Sequence, residues 1–597
     1  MATFPHEILS DVCECLMVPD TDGPPEAQYL GFQTIPSLAR TCRDFHDHAL
    51  NALWHTIPSV ALLVYTLPQD AWEAEVWEGK WKGDDAPKTH VQMVLRRPLV
   101  DDDLLRWKYY APRVVRVLPV INCEWFPERA RFHETDPSIM DALASLFPHG
   151  SLLPNLRVYH TFHVDGFGLY RTLPVLFGPK LRNFYHCCVN TPSAFDSEEN
   201  DYTRMLAKLR ERSPSLESLG FSAEPCSSRF ADNVLHDLSH YRVLVLALLD
   251  GIPVTAPALL HLSTVKNLQS LHATLSPELS EDAFDDVPPA AHFPTLRHTY
   301  LQHETSLAVC TAVIRFIRSK VFSTAEVKCD SPGSATVAHV RDFFSALADS
   351  PFQSSPMRIS LEVNALANPE SSPITNDTFA GLLRLKVLVA LDLNICHPFA
   401  IDDELIAALA HSFPDLTYLN LATKRPWKGP PPRSASAPGG AKTSETAPSI
   451  RTLVQLAKHC PHMHTVGFAL DARTCDPETR PGGGTVHTKL RTLRVGCSTI
   501  ASPEAVAAFL SDVFPKLFDV DNDWAREVDL EGEDAVNLAD MDAEERRRLE
   551  REVRNREAWW DVEYLIKEFM GIRMQERDWA GRRARSVSVT SSSAMSE

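Results

Sequence analysis

The sequence has little of what membranes, secretion and catalysis require. No apolar run reaches membrane-spanning length; the stretch from Val243 to Leu249 stops at Asp250. The N-terminus lacks a basic region and carries acids early, which is not the pattern of a signal peptide. The 13 cysteines are scattered, with no paired CxxC sites, and that odd count suits a reducing compartment, cytosol or nucleus. No serine or cysteine sits in a nucleophile-elbow pattern. Gly482-Gly483-Gly484 does not follow a strand and ends without lysine-serine, so it reads as a turn rather than a phosphate loop. Basic charge is also in deficit. The net charge of −19 argues against general binding to phosphate backbones and permits basic partners. No cofactor is expected.

What is present begins at the N-terminus. Pro5 stands where an entering helix tolerates a residue without N–H. Ile8, Leu9, Val12 and Leu16 follow at helical spacing as one apolar stripe. Glu7 and Asp11 favour that helix through its dipole. Pro36 is expected to open a second helix with Leu38 and Cys42, and Phe45, Ala49, Leu53 and Trp54 stripe a third. Three helices this short cannot bury their apolar faces on each other alone, so a partner or the following domain must cover the excess. An ordinary helical cap on a larger domain is the alternative. The combined pattern Phe4-Pro5-His6-Glu7-Ile8-Leu9, Leu38-Ala39-Arg40-Thr41-Cys42-Arg43-Asp44-Phe45 and Ala49-Leu50…Leu53-Trp54 resembles an F-box, the module that plugs a protein into a Skp-type adaptor. The loop from Val18 to Gln33 is longer than that family usually carries. The resemblance implies an adaptor face made of Pro5, Ile8, Leu9, Val12, Leu38, Cys42, Phe45, Leu53 and Trp54.

Residues 58–147 form a tryptophan-rich connecting region with Trp72, Trp77, Trp81, Trp107 and Trp125. The phrase from Arg97-Pro98-Leu99 through Arg106-Trp107-Lys108-Tyr109-Tyr110-Ala111-Pro112-Arg113 to Leu118 resembles the linker of fungal, especially basidiomycete-type, F-box proteins. Asp101-Asp102-Asp103 reads as a solvated helix start, because consecutive residues do not converge on one ion. From residue 148 to 523 the chain repeats L-x-x-L-x-L, often led by proline two residues earlier, as in Pro214-Ser215-Leu216-Glu217-Ser218-Leu219 and Pro414-Asp415-Leu416-Thr417-Tyr418-Leu419. A spacing of roughly 25–30 residues matches a leucine-rich repeat. Helical patterns such as Asp402 to Ala410 and Pro503 to Leu510 lie between copies, so each unit is a strand followed by a helix that must stack on its neighbours. The fold class is therefore α/β, three N-terminal helices followed by an irregular leucine-rich solenoid. A two-layer α/β domain with irregular crossovers is the alternative.

Lys424 to Pro448 is rich in Pro, Ser, Gly and Ala and is expected to be a disordered loop. Residues 524–580 should form a charged helix, capped by Asp540, that docks through Leu549, Val553, Trp560 and Tyr564. A disordered tail is expected over 581–597, its run Arg582-Arg583-Ala584-Arg585 a weak nuclear-import or phosphorylation hint. Cys460-Pro461-His462-Met463-His464 and His186-Cys187-Cys188 look metal-like but fall at repeat strands, so no metal is expected. The resemblance implies a non-catalytic substrate receptor, joined through a Skp-type adaptor to a cullin-RING ubiquitin ligase, or else a binding scaffold outside ubiquitin ligation. Neither nucleic acid nor membrane is an expected partner, and the location is cytoplasmic or nuclear. In L-x-x-L-x-L the leucines point inward and the residues between them outward. That makes His298, Tyr300, Gln302, Asp392, Asn394, Tyr418 and Asn420 the candidates for contact with a protein substrate.

Overall fold

A computed structural model of the chain describes residues 5–17, 30–79, 88–118, 131–147, 151–163, 172–188, 195–222, 241, 244–287, 292–304, 306–331, 335–352, 355–364, 373–421, 447–475, 482–524 and 543–593. Asp540, Trp81, Trp125 and residues 424–446 of the expected loop lie outside them. The chain divides into two compact units, Met1–Ser276 and Pro277–Glu597.

The first unit opens with helices α1 (His6–Met17), α2 (Leu30–Leu38) and α3 (Arg43–His55). Pro36 does not open α2 but lies in its last turn. The helix thereby takes up Leu30 to Gln33, which belonged to the expected loop. A proline there removes one backbone donor shortly before the chain leaves the helix anyway, at Thr41 N–H to Leu38 O. The three helices enclose Cys13, Ile35, Ala39, Ala49 and Leu50, with Met17, Leu38, Phe45, Leu53, Trp54 and Tyr110 packed around them.

A parallel sheet follows directly. Strand β1 (Thr56–Ile57) and four elements of the connecting region come next: β2 (Trp72–Gly79), β3 (Lys88–Leu95), β4 (Arg116–Val117) and β5 (Arg131–Thr135). β1 pairs with β4, and β4 with β6 (Val158–His163). The sheet continues through β7 (Asn183–Cys188), β8 (Ser218–Ser222), β9 (Leu246–Val254) and β10 (Ser270–Leu275). The repeats thus begin before the expected boundary at 148. Strands of two residues are too short to show period-two patterning, so the sequence hides them. The connecting region is itself folded: β2 runs antiparallel to β3, and β3 parallel to β5.

In the second unit the parallel strands are β11 (His298–His303), β12 (Thr324–Cys329), β13 (Met357–Val363), β14 (Leu388–Ile395), β15 (Tyr418–Leu421), β16 (Thr465–Phe468), β17 (Thr492–Gly496) and β18 (Asp519–Asn522). One local sequence rule builds each repeat. In Phe293-Pro294-Thr295-Leu296, Phe413-Pro414-Asp415-Leu416 and Phe514-Pro515-Lys516-Leu517, the leucine N–H donates to the carbonyl three residues back, closing a turn. Proline at the second position pre-sets its φ. Leu296, Leu416, Met463, Leu490 and Leu517 then bury first, each no more than 1% exposed. Polar residues cap the intervening helices. Ser306 accepts from Val309 N–H, Asp402 from Glu404 and Leu405 N–H, and Ser502 from Ala505 N–H. The result is a solenoid-like stack of strand–helix repeats.

The last helix, Ala543–Ser593, packs on helix Pro503–Val513 and on β18. Its docked face is Leu549, Trp559, Val562 and Ile566. Trp560 and Tyr564, expected to dock, are 54% and 66% exposed. Successive helical residues turn by about 100°, so a stripe through Trp560 faces away from one through Trp559. The helix continues to Ser593, through most of the expected tail.

Candidate functional site

Two surfaces gather the candidate residues. The first is α1. The stripe read from the sequence splits into two rows. Leu9 (3% exposed) and Cys13 (0%) turn inward, whereas Ile8 (47%), Val12 (40%) and Leu16 (37%) face outward. Rows at i, i+4 on one helix diverge by about 100° when offset by one residue, which is enough to separate core from surface. Leu9 therefore belongs to the fold and not to an adaptor face. Pro5 and Cys42 are exposed, and Leu38, Phe45, Leu53 and Trp54 are half-buried against the helical core.

The helices are held to the connecting region by groups not picked out from the sequence. Arg113 pairs with Asp47 at 2.8 Å, hydrogen-bonds Asn51, and lies 4.7 Å from the Tyr109 ring centroid. The hydrogen bond from Arg113 holds the Asp47 carboxyl below its usual range. Trp54 packs on Tyr110 with ring centroids 4.8 Å apart. Tyr109, Tyr110 and Arg113 lie within the quoted phrase ending at Leu118, but no periodicity marks them as a clamp. Arg97 makes a second clamp, bidentate to Asp103 at 2.7 and 2.9 Å and bonded to Asp70 at 2.7 Å. Asp103 also accepts from Val100 N–H at 2.9 Å. The three aspartates do start a helical turn, Asp101–Leu104, with Asp101 and Asp102 exposed, but Asp103 is buried because the guanidinium replaces its water.

The second surface is the outward face of β11 to β18. Register puts Tyr300, Glu326, Ser360, Asp392, Asn420, Gly467, Arg494 and Asp521 in one row. His298 shares the row of Arg358 and Tyr418, and Gln302 that of Lys328, Glu362 and Asn394. The candidates lie on one face; burial alternates along β11, β12 and β13 as expected, but along β14 to β16 outward positions are buried as well. They are not equally open. Asn420 is 0% and Asn394 6% exposed. Asn420 Nδ2 donates to Asp392 Oδ1 at 2.6 Å and Asn394 Oδ1 at 3.4 Å. Tyr418 Oη donates to Asp392 Oδ2 at 3.4 Å and accepts from Arg494 at 3.1 Å. Asn420 braces Asp392 and is itself held by Asn394, and the two buried asparagines do not present themselves to a partner, which corrects their place among the contact candidates. His298 is exposed beside Thr324 at 2.9 Å, and Gln302 donates to Asp330 at 2.6 Å. Glu326, Arg358 and Arg494 share this face, and the strand-to-strand register sets their neighbours.

The metal-like motifs have structural explanations. Cys460 is buried, its thiol near the carbonyls of Ala410 and Phe413, and Met463 fills the leucine slot. His462 and His464 contact Lys489 from outside. His186 is buried in the third leucine slot of β7, stacked on Phe184. Among the described residues no three His, Cys, Asp or Glu side chains gather as a metal site. Gly483 and Gly484 have φ of 55° and 86°, which makes the triple glycine a turn. No described helix is long and apolar enough to cross a membrane.

No protein-family model matches the sequence, and no curated protein matches it. Among solved structures, the chain is similar to one in the crystal structure of the Rad7 and Elc1 complex in yeast, at TM-score 0.35 and 14% identity over 67% of this chain and 85% of that one. It is also similar to one in the TLR13–ssRNA13 complex, at TM-score 0.35 and 12% identity over 70% of this chain, and spans 59% of that chain's length.

Proposed function

We propose that the chain is a non-catalytic substrate receptor of the F-box kind. The N-terminal helices dock a Skp-type adaptor and through it a cullin-RING ubiquitin ligase, and the repeats hold a protein substrate. The observation that carries the reading is the outward row Ile8, Val12 and Leu16, three large apolar side chains uncovered on a helix whose sequence resembles the start of an F-box. The Arg113 and Tyr110 contacts support it, because they fix those helices to the folded connecting region and so give a bound adaptor a defined orientation. The function is positional: holding substrate near a charged conjugating enzyme raises effective concentration without bond chemistry in this chain. On this reading the protein works in the cytoplasm or nucleus.

The test is co-purification with a Skp-type adaptor and a cullin. Ile8→Asp with Val12→Asp puts two charges into the interface, and should weaken adaptor capture by about 2 kcal/mol or more while leaving the melting midpoint nearly unchanged. Full capture by that variant overturns the reading. Adaptor bound without any cullin favours the scaffold outside ubiquitin ligation.

A further inference from the structure

We propose that the connecting region of the first unit carries a site for an alkylammonium group, as at the end of a lysine or methylated lysine side chain. A cavity of about 410 Å³ opens there, lined by Tyr65, Leu67, Trp72, Asp102, Leu105 and Arg106 among others. The Tyr65 and Trp72 rings stand at 81° with centroids 5.0 Å apart, so they form two walls meeting at a corner. Both are set by the backbone. Tyr65 follows the helical turn Ala61–Val64, and Trp72 Nε1–H donates to Leu67 O at 3.4 Å. Tyr65 is 44% and Leu105 70% exposed, an apolar rim left open to solvent.

The charges around the cavity are mostly spent on each other. Arg97 is held by Asp70 and Asp103, Arg96 by Glu73, and Lys108 by Asp101. Asp102 is exposed, and no ion pair among the described residues neutralises it. A corner of two aromatic rings beside a carboxylate that makes no ion pair among the described residues attracts a cation twice, through the ring quadrupoles and through charge. A bulky, weakly hydrated ammonium gains most, since it loses little water on entering. Arg106, one helical turn after Asp102 and lining the same cavity, works against the cation and tunes the affinity. The inference does not rest on the adaptor reading, and either can fail without the other.

Calorimetric titration of the full chain tests it. The probes are tetramethylammonium chloride and Nε-trimethyl-lysine amide, with a neutral neohexyl analogue as isostere, in matched salt. The expected result is saturable binding of both cations, roughly tenfold tighter than the isostere. Asp102→Asn and Trp72→Ala should each weaken it, Tyr65→Phe should keep it, and Arg106→Gln should tighten it. Because Asp102 is exposed, its variant tests the site even if Trp72→Ala does not fold. Equal affinity for the isostere, or no saturable heat with either cation, overturns the proposal.

Discussion

At the scale of single residues, the polar groups inside the repeats are the informative ones. His487 is 4% exposed; its Nδ1 accepts from Leu490 N–H at 3.2 Å, so its Nε2–H must donate to Cys460 O at 3.0 Å. That is a neutral ring, and protonation would set a second N–H against a donor. Burial above all, with His464, Lys489 and His462 nearby, holds its pKa below the ordinary 6.5. The unfolded chain takes up the proton near that value while the folded chain resists, so this stability is present above it and is lost as pH falls below it. His160 shifts in the same direction, through burial and then Arg116. Urea midpoints at about pH 7.5 and about pH 5.5 should fall with acid, and His487→Asn should be less stable at the higher pH but show a shallower fall. An unchanged slope would mean His487 titrates normally. Asp402 offers a simpler check. It caps a helix through Glu404 and Leu405 N–H and accepts from Asn376 at 2.8 Å. Asp402→Ala should cost about 1 kcal/mol of unfolding free energy. The sequence shows that Asn420 points out of its strand. It does not show that Asn420 is buried with Asp392 bonded to both it and Tyr418, because Asp392 lies 28 and 26 residues away from them.

At the scale of elements, the errors of reading come from helices with apolar residues on more than one side. In α1 both Leu9 and Ile8 fit a helical stripe, and only packing against α2 and α3 assigns Leu9 to the core. The C-terminal helix repeats the lesson. Trp560 and Tyr564 make as good a stripe as Trp559, Val562 and Ile566, but the second set has polar partners in place. Trp559 Nε1–H donates to Ser498 O at 2.9 Å, Asn555 Oδ1 accepts from Ile500 N–H at 3.3 Å, and Arg573 reaches Ser511 Oγ at 3.0 Å and the buried Asp512 at 3.4 Å. A stripe docks when its flanking donors also find acceptors, and hydrophobicity alone cannot encode that. Trp559→Ala should therefore destabilise the second unit by about 3–5 kcal/mol. Trp560→Ala, which gives up an exposed ring stacked on Arg556 at 4.9 Å, should change stability by less than about 0.5 kcal/mol. Denaturant unfolding of the pair decides; a larger loss for Trp560→Ala would place the docked face where the sequence first put it.

At the scale of the whole molecule, the repeat is the legible feature, since the same proline turn and leucine slots recur and every copy must stack to be stable. Less legible are the two-residue strands at Thr56–Ile57 and Arg116–Val117, the folded connecting region, and the division into two units at Ser276, where no composition shift marks the boundary. The repeat register also locates the insertion. Tyr418 pairs with Thr465 and Leu421 with Phe468, so β15 and β16 are direct neighbours despite the long stretch between them. The chain is secured again just before the next helix: Ser449 N–H and Oγ both reach the Asp403 carboxylate, at 2.6 and 2.8 Å, and Pro448 O accepts from Asp471 N–H at 2.8 Å. Pro448, placed in the loop by its composition, thus belongs to the repeat. The direct pairing of β15 with β16 closes the ladder, and loop length alone has a small entropic effect. Replacing Lys424 to Thr446 by a short glycine bridge should shift the melting midpoint by no more than roughly 2 °C. Extending the deletion through Ser449 removes both anchors and should lower it by several times as much. Equal large losses in the two variants would show that the insertion is packed into the repeats, and the boundary between β15 and β16 would have to be redrawn.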